Sequence, residues 1–172
     1  MSKIYIIPGL GETGYELQYK KLSRVFKRKG YEPIIISPNW YKPLSEQTFC
    51  IEKDAIVFGF SFGAIIAYLI ARMYPMKHLI LASISPLETF SFKDMVEDSL
   101  PYMSREMAEL FARDLKEIHV DLTTLKVPYI TFAGEKESMQ AHVCVPKTGH
   151  VLNKAYITAV SKNLEGSGTS RS

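Results

Sequence analysis

Gly59-Phe60-Ser61-Phe62-Gly63 brackets a hydroxyl with two glycines, directly after the apolar run Ala55-Ile56-Val57-Phe58 and directly before the apolar stretch Ala64–Met73. This is the G-x-S-x-G pattern in the setting it requires, a strand followed by a helix. A serine on so sharp a turn needs small neighbours two residues away, because strand and helix must pass close to each other. Its Oγ is then held at a helix N-terminus, where the dipole favours developing negative charge, so the chemistry it suits is attack on a carbonyl carbon. The tetrahedral intermediate of acyl transfer carries an oxyanion that must be met by N–H donors. Pro8-Gly9-Leu10-Gly11, closing the first apolar run, can bring one donor, and the residue after the serine brings another. The amides of Leu10 and Phe62 are the candidates for this oxyanion hole.

The same glycine turn has a competing reading. Gly9-x-Gly11-x-x-Gly14 fits the dinucleotide fingerprint, but the second apolar run ends in Ser37-Pro38-Asn39, where a ribose-binding Asp or Glu should stand. No cofactor is expected. Among the four histidines, His78, His119, His142 and His150, none has a partner at metal-ligand spacing, and no metal is expected. Cys50 and Cys144 match neither a metal-binding pair nor CxxC, and their apolar surroundings read as those of buried free thiols in a reducing compartment.

These residues have to be positioned by the elements around them. Short β-branched runs at Ile4–Ile7, Pro33–Ile36, Ala55–Gly59 and His78–Ala82 alternate with helical stretches. That alternation implies βαβ units and a mostly parallel sheet in a three-layer α/β/α sandwich. Leu17, Leu22, Val25 and Phe26 recur at near-helical spacing until Gly30, and Ala64–Met73 is apolar nearly all round, as a buried helix is. A short helix is also read around Leu44–Cys50. After Pro86 the rhythm stops, and two helices are expected at Phe92–Leu100 and Arg105–His119. Ser104 caps the second, whose inner face is read as Met107, Leu110, Phe111, Leu115 and Ile118. Two further strands, Pro128–Ala133 and Ala141–Val145, and a closing helix over Val151–Leu164 complete the chain, and 165–172 reads as a disordered tail or cloning remnant.

Taken in order, strand, Pro-Gly-Leu-Gly, helix, strand, Gly-Phe-Ser-Phe-Gly, helix, strand, insertion, strand with Gly134-Glu135-Lys136-Glu137, strand, Lys147-Thr148-Gly149-His150 and helix resemble the α/β-hydrolase superfamily over about residues 3–164. The family's opening antiparallel strands are missing, so the resemblance is to its small, reduced, esterase-like serine hydrolases. It implies a single domain, 1–164, with a short helical cap inserted at about 87–125 whose Met, Phe and Leu side chains form an acyl pocket. It also implies Ser61 as nucleophile, oxyanion amides at Leu10 and Phe62, and His150, of the Gly149-His150 pair, as general base. The family's acid falls at Glu137, with Glu135 and Glu88 as the other carboxylates in reach. One condition attaches: Glu135–Gln140 leaves about six residues, fewer than the ~10–12 of a usual parallel crossover. An antiparallel hairpin there would deliver His150 to the wrong edge of the sheet.

The implied reaction is hydrolysis of a carboxylic ester or thioester through an acyl-enzyme on Ser61. An acyltransferase on the same site and a non-catalytic binding protein of the same fold are the alternatives. A formal charge of +3, with the basic residues read as interspersed among acids, argues against a nucleic-acid partner. The expected partner is a small-molecule acyl substrate, and the expected assembly a monomer or homodimer. No apolar run is long enough for a signal peptide or a bilayer span, which reads as no membrane partner and a cytoplasmic location.

Overall fold

In the computed structural model, which describes residues 1–85, 87, 90–137 and 139–166, the β-branched runs become six strands: β1 (Lys3–Ile7), β2 (Glu32–Ile35), β3 (Ile56–Phe60), β4 (His78–Ala82), β5 (Tyr129–Gly134) and β6 (Val143–Val145). They form one sheet in the order β2-β1-β3-β4-β5-β6, and every pair is parallel. The strands' carboxyl ends therefore share one edge, where open α/β sheets place their ligands.

Five helices cover the sheet: α1 (Leu17–Arg28), α2 (Phe62–Met73), α3 (Phe92–Ser99), α4 (Arg105–Glu117) and α5 (Lys154–Gly166). On one face α1 and α5 bury Tyr19, Leu22, Phe26, Tyr156 and Val160 against Ile6, Phe58 and Phe132. On the other, α2 lies against Tyr5, Val57 and Leu79, and α3 and α4 add Met95, Val96, Phe111 and Leu115 to the same cluster. The three layers follow from this pattern: strands buried on both faces need a helix on each side. Phe58 sits at the centre, fully buried with its ring centroid 6.2 Å from that of Phe26. Phe58→Ala is expected to cost about 3–5 kcal/mol, read as a lower urea midpoint at unchanged slope.

The short connection after β5 does not make a hairpin. β6 has only three residues and starts level with Phe132, inside β5, so the eight residues Glu135–His142 have little distance to recover. His142 fastens the return: its Nδ1 accepts from the Thr131 amide at 3.1 Å, and its own amide donates to Thr131 Oγ1 at 2.9 Å.

Several local readings change. Cys50 and Cys144 are free but exposed, Cys50 in a loop with Sγ 3.4 Å from Tyr74 Oη, and Cys144 on the edge strand. Helix α5 packs on the face of β6 that carries Val145, and period-2 alternation turns Cys144 to the opposite face. The 44–50 segment forms only a 3₁₀ turn, Leu44–Gln47. Of the face read for α4, Phe111 and Leu115 are buried and Met107 and Ile118 pack against the core part-buried, Ala108 and Ala112 join them, and Leu110 alone is exposed. The Ser104 cap forms, accepting from the Met107 amide. Helix α5 continues two residues past Leu164, and 167–172 lie outside the described residues. Among the described residues no helix is long and apolar enough to cross a membrane.

Candidate active site

Ser61 stands between β3 and α2 with φ 55° and ψ −123°, a conformation that a non-glycine residue occupies only when its surroundings impose it. The surroundings are visible at the two flanking glycines. A Cβ at Gly59 would meet the Gly63 carbonyl oxygen at 2.3 Å, and one at Gly63 would meet the Pro8 carbonyl oxygen at 2.1 Å. Strand, turn and helix are therefore too close for any side chain, and the turn is locked. The Ser61 amide is tied to the Ala82 carbonyl at 2.9 Å. Its side chain is pushed up at the sheet edge.

His150 reaches that hydroxyl from the loop after β6, with Nε2 2.7 Å from Ser61 Oγ. Its Nδ1 lies 2.7 Å from Glu137 Oε1. Glu137 closes the 3₁₀ turn Glu135–Glu137 directly after β5, so the parallel pairing of β5 with β6 is what brings acid and imidazole together. The loop carrying His150 is pinned from below: the Lys136 amide donates to Thr148 O at 2.9 Å, and the Lys147 amide to Glu135 Oε2 at 2.7 Å. Glu135 thus braces the loop and does not face the imidazole. Glu88, the third carboxylate considered, lies outside the described residues.

The Glu137 side chain is only 5% exposed, against 49% for His150. A buried carboxylate needs donors, and besides the imidazole this one has the Gly134 amide and the hydroxyl of Ser83, which donates to Oε2 at 2.6 Å. Ser83 is fully buried just after β4 at φ 47°, and Tyr156 Oη lies 2.9 Å from its Oγ. Burial pushes the Tyr156 phenol well above its ordinary pKa, so it stays protonated and donates to Ser83, which in turn donates to Glu137. Neither residue stood out in the sequence. The one signal was position: Ser83 closes a strand at the edge that bears Ser61.

The glycine turn is held by Glu12. Its Oε2 accepts from the Gly9 amide at 2.9 Å and from the Tyr19 hydroxyl, its Oε1 accepts from Gln18 Nε2 at 2.9 Å, and its carbonyl accepts from Trp40 Nε1 at 2.7 Å. Burial and the adjacent carboxylate drive the Tyr19 phenol far up from its ordinary value, so it too remains a donor. With the Gly9 amide committed in this way, the next one along, Leu10, is left open. Among the described residues neither the Leu10 nor the Phe62 amide has a hydrogen-bond partner. A carboxylate already occupies the place where a dinucleotide's pyrophosphate would approach the loop, which disfavours that anion.

Ser61, His150, Leu10 and Phe62 line a single cleft of about 470 Å³, together with Gly9, Gly11, Glu12, Phe60, Asp98 and Tyr102. The 87–125 insertion reaches it through Asp98 and Tyr102. Its Met95, Phe111 and Leu115, of the types expected around an acyl group, are instead buried with α2 residues in the core. The apolar surface of the cleft comes from Leu10, Phe60 and Phe62, and the Phe60 ring lies 5.3 Å from that of His150. His78 is half-buried at the start of β4, where burial lowers its pKa, and His142 is engaged with Thr131. No group of three His, Cys, Asp or Glu that could hold a metal occurs among the described residues. The arrangement can pass a proton from a hydroxyl to an imidazole while a carboxylate receives the resulting charge, beside two open amides.

No protein-family model matches the chain, and no curated protein matches it. Solved structures do. A lipase-esterase related protein from Clostridium acetobutylicum superposes with a TM-score of 0.63 at 12% identity, over 96% of this chain and 93% of that one. Mouse alpha/beta hydrolase domain-containing protein 10 gives 0.61 at 14% identity, over 95% and 88%. The Vlm2 thioesterase domain, bound with a dodecadepsipeptide, gives 0.59 at 14% identity, over 96% and 92%.

Proposed function

On the premise that this chain has the α/β-hydrolase fold, we propose that it is a serine hydrolase that cleaves a carboxylic ester or thioester through an acyl-enzyme on Ser61. The observation that carries the reading is the unbroken line Ser61 Oγ, His150 Nε2, His150 Nδ1, Glu137 Oε1, with 2.7 Å at each of its two hydrogen bonds. His150 takes the Ser61 proton as Oγ bonds to the acyl carbon, and Glu137 stabilises the imidazolium. The oxyanion is met by the Leu10 and Phe62 amides. Collapse expels the alcohol or thiol, which takes the proton from His150 Nε2. A water then repeats the sequence on the acyl-enzyme, releasing the carboxylic acid and restoring Ser61. A cleft of about 470 Å³ whose apolar walls are Leu10, Phe60 and Phe62 suits a small or medium apolar acyl group.

The test is a panel of p-nitrophenyl esters and acyl thioesters of increasing chain length, run with and without an added alcohol acceptor. Turnover that peaks at short or medium chains and yields free acid supports the reading. Product accumulating as the acceptor's ester would instead make the protein an acyltransferase, and no Ser61-dependent turnover at any length would make it a binding protein.

Ser83 enters as a positioning residue. In Ser83→Ala, Glu137 Oε2 loses one donor and Tyr156 loses its acceptor. Removal of a hydrogen bond to a charged group is worth about 1.5–3 kcal/mol, which corresponds to roughly a 10- to 150-fold fall in kcat. KM is expected to stay unchanged, because Ser83 does not line the cleft. A parallel rise in KM would place Ser83 in substrate binding instead.

A further inference from the structure

A cleft of about 780 Å³, larger than the one at Ser61, runs along the outer surface between α1 and α5. Five exposed cations line it, Lys21, Arg24, Lys27 and Arg28 from α1 and Lys154 from α5, and among the described residues no acid does. Among the described residues none of the five is in an ion pair. Helix α1 contains no Asp or Glu at all. The six Lys and Arg of residues 20–29 outnumber the whole chain's net charge of +3, so the remainder of the chain is net acidic. Five of the 21 basic residues therefore meet along this groove, while the others are spread over the rest of the chain. Like charges facing each other across a groove repel one another, and an anionic surface seated between them would be attracted from both walls.

The groove's shape and floor select the kind of anion. Val25 and Ile157 give it an apolar floor between two helices running side by side. No aromatic side chain lines it, so bases would find no stacking platform. It is concave, and the apolar groups are at its bottom, the reverse of the projecting apolar face that enters a bilayer. An apolar floor with charged rims is what accepts an amphipathic helix laid lengthwise.

We propose that the α1/α5 groove is a docking site for an acidic amphipathic helix of a partner protein. The helix would set its carboxylates against Lys21, Arg24 and Arg28 on one wall and Lys154 on the other, with its apolar side chains on Val25 and Ile157. The proposal goes beyond the hydrolase reading and does not depend on it.

The test is fluorescence anisotropy with the full chain and a labelled synthetic peptide, Glu-rich on one helical face and Leu-bearing on the other. The expected result is saturable binding that weakens roughly tenfold or more in Arg24→Glu/Arg28→Glu and on raising the salt, with Tm and ester turnover unchanged. Should that variant fold poorly, the milder Lys21→Gln/Lys154→Gln, which neutralises one cation on each wall, is expected to weaken binding several-fold. Equal affinity for a scrambled peptide of the same composition would overturn the proposal. So would tighter binding to phosphatidylserine vesicles or to a single-stranded oligonucleotide at the same salt, or a peptide affinity that neither variant changes.

Discussion

Ser61→Ala is expected to lower kcat/KM for the best ester of the panel by roughly 10⁴- to 10⁶-fold, while the thermal midpoint hardly moves. In the proposed mechanism the hydroxyl does the bond-making, so the loss is large and the residual rate is what the Leu10 and Phe62 amides and the cleft would supply without a nucleophile. The stability change is small for a local reason. Ser61 is almost buried, at 6% exposure, but among the described residues its Oγ abandons only His150, at 2.7 Å, and the Ser85 hydroxyl at a long 3.5 Å. That imidazole is half-exposed and can turn to water. Steady-state kinetics and a melting curve on the same preparation separate the two effects. A comparable fall in Tm would mean that the substitution had damaged the turn rather than the chemistry.

Glu137→Gln is expected to cost roughly 10⁴-fold in kcat, although it removes no volume. The reason lies in the donors around the carboxylate. Oε2 faces the Ser83 hydroxyl and the Gly134 amide, both donors, so the glutamine must present its carbonyl oxygen there. Its NH₂ then faces His150 Nδ1, which has to accept. An imidazole that accepts at Nδ1 carries its proton on Nε2 and cannot take one from Ser61. Glu137→Asp keeps the charge but shortens the reach, and an intermediate loss is expected. If Glu137→Gln turned over nearly as well as the wild type, the buried carboxylate would be bracing the loop and not orienting the imidazole.

Much of this arrangement could be read from residue order. The runs before Gly9 and Gly59 announce themselves as strands because β-branched side chains cluster there, and the crowding at Gly59 and Gly63 is the physical content of the G-x-S-x-G spacing. What periodicity does not carry is strand direction. Whether 143–145 runs parallel or antiparallel to 129–134 depends on a three-residue strand pairing with the end of its neighbour, and on Thr131 and His142 joining across the return. The burial of Cys144 was misjudged for a related reason: local apolar composition does not say which strand ends at the edge of a sheet. Ser83 and Tyr156 are far apart in the chain and belong to no pattern, so only their convergence on Glu137 singles them out. In α1 the basic residues do resemble a wet helix face when read alone. Their meaning changes once Lys154 is seen across the groove.

In the proposed mechanism one hydroxyl, Ser61 Oγ, becomes covalently acylated. The most direct test of this step is incubation with a serine-directed fluorophosphonate, followed by mass mapping of the modified peptide. One stoichiometric adduct is expected on the peptide containing Ser61, none in Ser61→Ala and markedly slower formation in Glu137→Gln. Labelling of Ser61→Ala to the same extent as the wild type, or an adduct mapped to any other residue, would contradict it.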